Sequence, residues 1–131
     1  MKLSNSLRTF AAAGLVLGAV AVSAGPASAL EKNNVLQVGE LGLFCYGNQT
    51  GSVFDLYYRD ENFGDDKFKG TLTCAGQTPN DNTESYLSKD TYTWDVYTDW
   101  KRQGYSHSID PGGRAGLTPW YFNTLSSAYP R

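Results

Sequence analysis

Trp94-Asp95-Val96-Tyr97-Thr98-Asp99-Trp100-Lys101-Arg102-Gln103-Gly104-Tyr105-Ser106-His107-Ser108-Ile109-Asp110-Pro111-Gly112-Gly113 is the stretch that decides the fold. Tyr92, Trp94 and Val96 alternate with polar neighbours, a period of two that predicts a half-buried strand. Tyr97 is followed seven residues later by Gly104, and Gly112 comes eight residues after that, behind Pro111. An aromatic, a short polar arch and a glycine describe a strand whose hairpin folds back over its own sheet. Glycine is required where the backbone turns left-handed, because a Cβ resists that conformation. Asp110-Pro111-Gly112-Gly113 then has the turn chemistry to close the next strand.

A second copy lies upstream. Leu43-Phe44-Cys45-Tyr46 reads as a strand, Gly47-Asn48-Gln49-Thr50-Gly51 as the arch, and a further strand starts at Val53. Phe44 to Gly51 is again seven residues, so the copies are offset by 53. Later, Asn82, Thr83 and Ser85 match Asn123, Thr124 and Ser126 at an offset of 41. The first copy thus holds 53 less 41, or twelve, extra residues, in the charged segment 59–69. A competing register sets Phe54-Asp55-Leu56-Tyr57 against Trp94-Asp95-Val96-Tyr97, with Gly64 opposite Gly104. The first register is preferred because it places a strand before the arch and buries Cys45 on it. Gly51, Gly104 and Gly112 are then the motif glycines. Two copies are too few for a solenoid, and two Greek keys packed face to face are the economical solution.

Residues 1–29 read as a secretory signal peptide. Lys2 and Arg8 precede an apolar run over 10–22, and Ala27-Ser28-Ala29 supplies small residues for cleavage at about Leu30. The run is shorter than the roughly 20 residues a membrane span needs. The expected mature chain is a polar arm over 30–40 and one domain over 41–131, secreted, extracellular and monomeric. Without Lys2 and Arg8 it holds 9 basic residues against 13 acidic, a net charge of −4. No Lys/Arg cluster is present, which argues against nucleic acid and anionic membranes. The two cysteines of an exported chain, Cys45 and Cys74, have one intramolecular pairing available and predict a disulfide.

With these strands, this cysteine placement and residues 104–112, the chain resembles a group of small secreted actinobacterial proteins. They share a βγ-crystallin-like fold with the Streptomyces-type metalloproteinase inhibitor. The resemblance implies an all-β, βγ-crystallin-like sandwich of two Greek-key motifs and a non-enzymatic protein that inhibits an extracellular metalloprotease. Such an inhibitor presents a rigid loop, preorganised so that binding costs little ordering. The best match is Gly70-Thr71-Leu72-Thr73-Cys74-Ala75, tethered at Cys74, with Leu72 as the apolar anchor. The competing expectation is that Leu72 points into the core from a strand.

Two further readings come from the same residues. Microbial βγ-crystallins carry (Asn/Asp)-(Asn/Asp)-x-x-(Ser/Thr)-Ser calcium motifs, and Asp81, Asn82 and Ser85 with Asn123 and Ser126 resemble a pair of them. Ca2+ is therefore the one ion to consider, and no other cofactor is expected. The aromatic content, with three tryptophans and nine tyrosines, also suits a carbohydrate or cell-surface binder. Trp100, in the second arch, is expected outside and Trp120-Tyr121-Phe122 between the sheets. Catalysis has little basis: His107 stands alone, and Asp65-Asp66 read as solvated loop carboxylates rather than an acid–base pair.

Overall fold

The computed structural model describes residues 31–131. The expected signal peptide lies outside them. Among the described residues the strands are β1 (Leu41–Tyr46), β2 (Thr50–Leu56), β3 (Ser85–Ser88), β4 (Trp94–Tyr97), β5 (Ser106–Ile109), β6 (Arg114–Gly116) and β7 (Ser127–Pro130), with one 3-10 turn, Phe63–Asp65. They form a four-stranded sheet in the order β2-β1-β3-β6 and a three-stranded sheet in the order β5-β4-β7. The alternation seen in the sequence becomes the core: Leu41, Leu43, Phe54 and Leu56 of one sheet meet Trp94, Val96 and Ile109 of the other, all buried.

The register settles the choice between the two alignments. Leu41 pairs with Leu56 in the first hairpin, and Trp94 with Ile109 in the second. Leu41 to Trp94 and Leu56 to Ile109 are both an offset of 53. Gly51 and Gly104 share φ of +78°, and the residues before them repeat as well: Asn48 and Gln49 are left-handed at φ 56° and 53°, Lys101 and Arg102 at 52° and 63°. A Cβ at Gly51 would lie 2.6 Å from Cys45 Sγ, so the glycine answers both to the turn and to the sulfur beneath it. Gly112, at φ +74°, sits in the turn between β5 and β6. Gly64 belongs to the 3-10 turn and has no part in a folded hairpin, which removes the competing register.

The two halves exchange a strand. β6, from the second half, pairs with β3, and Asp60, from the first half, bridges to Ala128 of β7. Each sheet is thus completed by backbone from the other motif, which locks the motifs together. In the final strands the offset is 42, not 41: Ser85 pairs with Phe44, and Ser127 pairs with Tyr97.

Residues 31–40 form a strap, not a strand, along the outer edge of β2. Lys32 N–H donates to Asp55 O (2.9 Å), Val53 N–H donates to Asn34 Oδ1 (2.8 Å), and Tyr57 and Tyr58 N–H donate to Glu31 Oε1 (both 2.7 Å). Asp55 answers from the strand by accepting from Asn33 and Asn34 N–H. The strap satisfies edge groups that would otherwise offer a template for another chain. Cys45 and Cys74 are bonded, 29 residues apart. Among the described residues no helix is long and apolar enough to cross a membrane.

Candidate functional site

The disulfide delivers one end of the loop 69–76 to the core, where Cys74 is buried, while Leu72 stays 54% exposed. The expectation that Leu72 points inward from a strand is corrected. Its segment bends at Gly70 (φ +80°) and turns back at once, with Ala75 N–H donating to Leu72 O (3.0 Å) and Cys74 left-handed at φ +79°. Ser52 of β2 braces the loop twice: its N–H donates to Thr73 O (3.0 Å) and its hydroxyl to Leu72 O (3.4 Å). Phe68 and Gly76 close the base, Gly76 N–H donating to Phe68 O (2.9 Å). Thr71 and Thr73 flank Leu72 and are also exposed.

The turns before β3 and β7 cross one another symmetrically. Asp81 and Asn123 are left-handed, at φ 54° and 55°; Asp81 N–H donates to Leu125 O (3.0 Å) and Asn123 N–H to Thr83 O (2.9 Å). The equivalent residues are therefore Asp81 with Asn123, Glu84 with Ser126, and Ser85 with Ser127. This one-residue correction changes the ligand set. Ser85 Oγ is engaged in the fold, donating to Tyr46 O (2.6 Å) and accepting from Gln49 N–H (2.9 Å), as Ser127 Oγ donates to Asp99 O (2.7 Å). Asn82 is also diverted, its amide donating to Gln77 Oε1 and Thr78 O.

What the turns do bring together is Asp81 with Ser126, whose hydroxyl donates to Asp81 Oδ1 at 3.5 Å, and Glu84 with Asn123, whose amide donates to Glu84 Oε2 at 3.3 Å. Burial pushes the Asp81 carboxyl up; Ser126 opposes this and the Asp99 charge adds to it. The Asn123 side-chain oxygen is buried with no hydrogen-bond partner among the described residues. Glu84 and Asp99 were missed from sequence, because only the hairpin pairing shows which side chains meet across the turns. These are hard oxygen donors of the kind calcium takes, and each pair supplies three side-chain oxygens against the roughly six to eight a full shell needs.

Asp66 also departs from expectation, whereas Asp65 is exposed as expected. Asp60, Asp65 and Asp66 converge, with one ligand atom from each lying within 4.8 Å of the others. Lys32 of the strap inserts its ammonium 3.0 Å from Asp60 and 3.2 Å from Asp66. Asp66 is not simply solvated: burial, then a hydrogen bond and charge from Asp60, raise it to about 7 against the pull of Lys32. The folded state thus holds a proton that the unfolded chain releases near pH 4. The resulting stability is fully present below that pH and is lost as pH rises through about 7. Asp66→Asn is expected to flatten the stability profile between those limits and to raise the melting temperature at pH 8. Urea midpoints at pH 4, 6 and 8 measure it, and an Asp66→Asn profile parallel to wild type would contradict it.

The aromatic expectation holds for Trp100 and Tyr121 and fails for Trp120 and Phe122. Trp100 is 50% exposed at the arch, under the Lys101 ammonium at 4.7 Å. Trp120, expected between the sheets, is 72% exposed, and Phe122 is 44% exposed. A turn explains both: Tyr121 and Phe122 N–H donate to Thr118 O (2.8 and 3.0 Å), so only Tyr121 is directed inward. His107 stacks between Tyr86 and Tyr121, at 6.0 and 5.1 Å between ring centroids.

Two crossed Greek keys with paired left-handed hairpins define a βγ-crystallin-like fold, and the chain has that fold. A βγ-crystallin domain solved in connection with the evolution of the eye-lens fold superposes with a TM-score of 0.60 at 15% identity, over 74% of this chain and 90% of that one. The βγ-crystallin of Ciona intestinalis gives 0.56 at 21% identity, over 71% and 100%. A βγ-crystallin domain from Flavobacterium johnsoniae gives 0.54 at 22%, over 70% and 92%. No family model and no curated protein matches the sequence.

Proposed function

We propose that this is a secreted, monomeric, non-catalytic binding domain that inhibits an extracellular metalloprotease through the loop 69–75. The observation carrying this reading is the exposed Leu72 on a loop tethered by Cys45–Cys74 and braced by Ser52. An apolar side chain held outward on a rigid base can enter a pocket without the ordering cost a free loop would incur. The expected result is inhibition of a thermolysin-like metalloprotease by micromolar mature protein, weakened roughly tenfold or more by Leu72→Asp. No inhibition at that concentration removes the proposal.

A second reading, calcium binding, is favoured by the paired oxygens of Asp81 with Ser126 and Glu84 with Asn123, and by the partnerless Asn123 oxygen. A cation there would offset the Asp81 and Asp99 charges and tie both halves together. Calcium should then raise the melting temperature, and the rise should vanish in Asp81→Asn/Glu84→Gln. A calorimetric titration without heat, together with an unchanged melting temperature, counts decisively against it.

A further inference from the structure

We propose that the corner formed by Tyr105 and Trp120 binds a soluble, uncharged polysaccharide chain, at a site separate from the Leu72 loop. Tyr105 and Trp120 are the most exposed aromatic rings among the described residues, at 66% and 72%. Their centroids lie 6.0 Å apart with the planes inclined at 53°, so the two rings form an open V.

Exposed rings usually owe their position to chance, but both of these are held from behind. Tyr105 N–H donates to Thr98 Oγ1 (2.9 Å) at the end of the folded hairpin. Trp120 sits on the turn closed by Thr118 O, and its own carbonyl accepts from Thr124 Oγ1 (3.1 Å). Beneath the corner, Tyr121 Oη donates to Ser106 O (2.7 Å) and joins the Trp120 turn to β5, while the Tyr86–His107–Tyr121 stack supports it from inside. The backbone on both sides of the corner is therefore held, and the two rings touch each other at its mouth. Ordering the backbone then adds little to the cost of binding.

The surroundings indicate the ligand. Thr118, on the turn that carries Trp120, is an exposed hydroxyl residue, whereas Ser106 alternates with Tyr105 and His107 and presents its hydroxyl to the opposite face of the sheet, the face shared with Ser108. No hydrogen bond or ring contact of Tyr105, Trp120, Tyr121 or Phe122 involves a carboxylate, lysine or arginine among the described residues. A pyranose ring suits this corner: it has an apolar C–H face to lie on an aromatic, and hydroxyls at its rim that stay hydrated or exchange a hydrogen bond with Thr118. Tyr and Trp also anchor protein interfaces, so capture of a protein through Trp120 is the competing outcome that the test reads. An anionic polymer would approach a chain of net negative charge. The tilt excludes a flat crystalline surface, because two planes inclined at 53° cannot both lie on it, whereas a chain that twists from one sugar to the next can touch each in turn.

The test is affinity electrophoresis of the mature protein in gels containing hydroxyethylcellulose, arabinoxylan or glycol chitin, with sedimentation on crystalline cellulose alongside. At least one soluble polymer should retard the wild type. Trp120→Ala and Tyr105→Ala should each weaken that binding roughly tenfold, at unchanged unfolding midpoints because both rings are exposed. Trp100→Ala and Leu72→Asp, each compared with its own mobility in a polymer-free gel, should be retarded as strongly as wild type, which keeps this site apart from the protease-directed loop. The proposal is overturned if none of the three polymers retards the protein, if Trp120→Ala is retarded as strongly as wild type, or if binding is confined to crystalline cellulose. Capture of a protein through Trp120 without retardation by any glycan also overturns it.

Discussion

Trp94→Ala is expected to destabilise the domain by about 3–5 kcal/mol, the range for removing a large aromatic from a core. Trp94 is fully buried and occupies, in the second motif, the position Leu41 holds in the first. It does two things that an aliphatic side chain cannot do together. Its ring fills the space between the sheets, and its Nε1–H donates to Asp90 Oδ2 (2.8 Å), a carboxylate that is itself buried. Since small domains are stable by only about 5–15 kcal/mol, such a loss is a large share of the total. Trp94→Phe separates the two contributions: it keeps most of the volume and forfeits the charged hydrogen bond, worth roughly 1.5–3 kcal/mol. Urea unfolding of both variants measures the difference, and a loss below about 1 kcal/mol for alanine would be incompatible with this packing.

Removing the disulfide with Cys45→Ala/Cys74→Ala should cost about 3–4 kcal/mol, from freeing a closed loop of that length in the unfolded chain. The effect should also be local. With Cys74 released, only the Ser52 bonds and the short pairing of Phe68 with residues 76–77 would hold the loop. Leu72 would then become a mobile side chain, so inhibitory potency should fall further than global stability predicts. Hydrogen exchange at Ser52, whose N–H donates to Thr73 O, reports this directly. Protection at Ser52 that survives in the double variant would show that the sheet, not the disulfide, positions the loop.

How much of this was legible beforehand depended on whether a residue's own chemistry dictates its conformation. Gly51 and Gly104 could be matched because a left-handed backbone in a folded hairpin selects glycine, and the aromatic seven residues earlier marks the strand feeding it. The later match went astray by one residue for the opposite reason. Asn82, Thr83 and Ser85 resemble Asn123, Thr124 and Ser126 letter for letter, yet the backbone makes Asp81 equivalent to Asn123 and Thr83 to Leu125. Thr83 and Leu125 share full burial, and Asp81 and Asn123 share a left-handed turn, although neither pair shares a side chain. Trp120 was misplaced because a run of three aromatics suggests a core, whereas the Thr118 turn allows only Tyr121 to face inward.

The sequence by itself determined the all-β class, the duplicated hairpin, its glycines and the one possible disulfide, since each rests on local backbone preference or on counting. Only the tertiary structure decided which oxygens meet across the two crossing turns, that Lys32 lies between Asp60 and Asp66, and that Leu72, Tyr105 and Trp120 face outward. Those arrangements arise where the crossing turns, the N-terminal strap and the disulfide bring together residues far apart in the chain. Side-chain direction at such crossings is set by hydrogen bonds to a distant partner, and no local propensity encodes it.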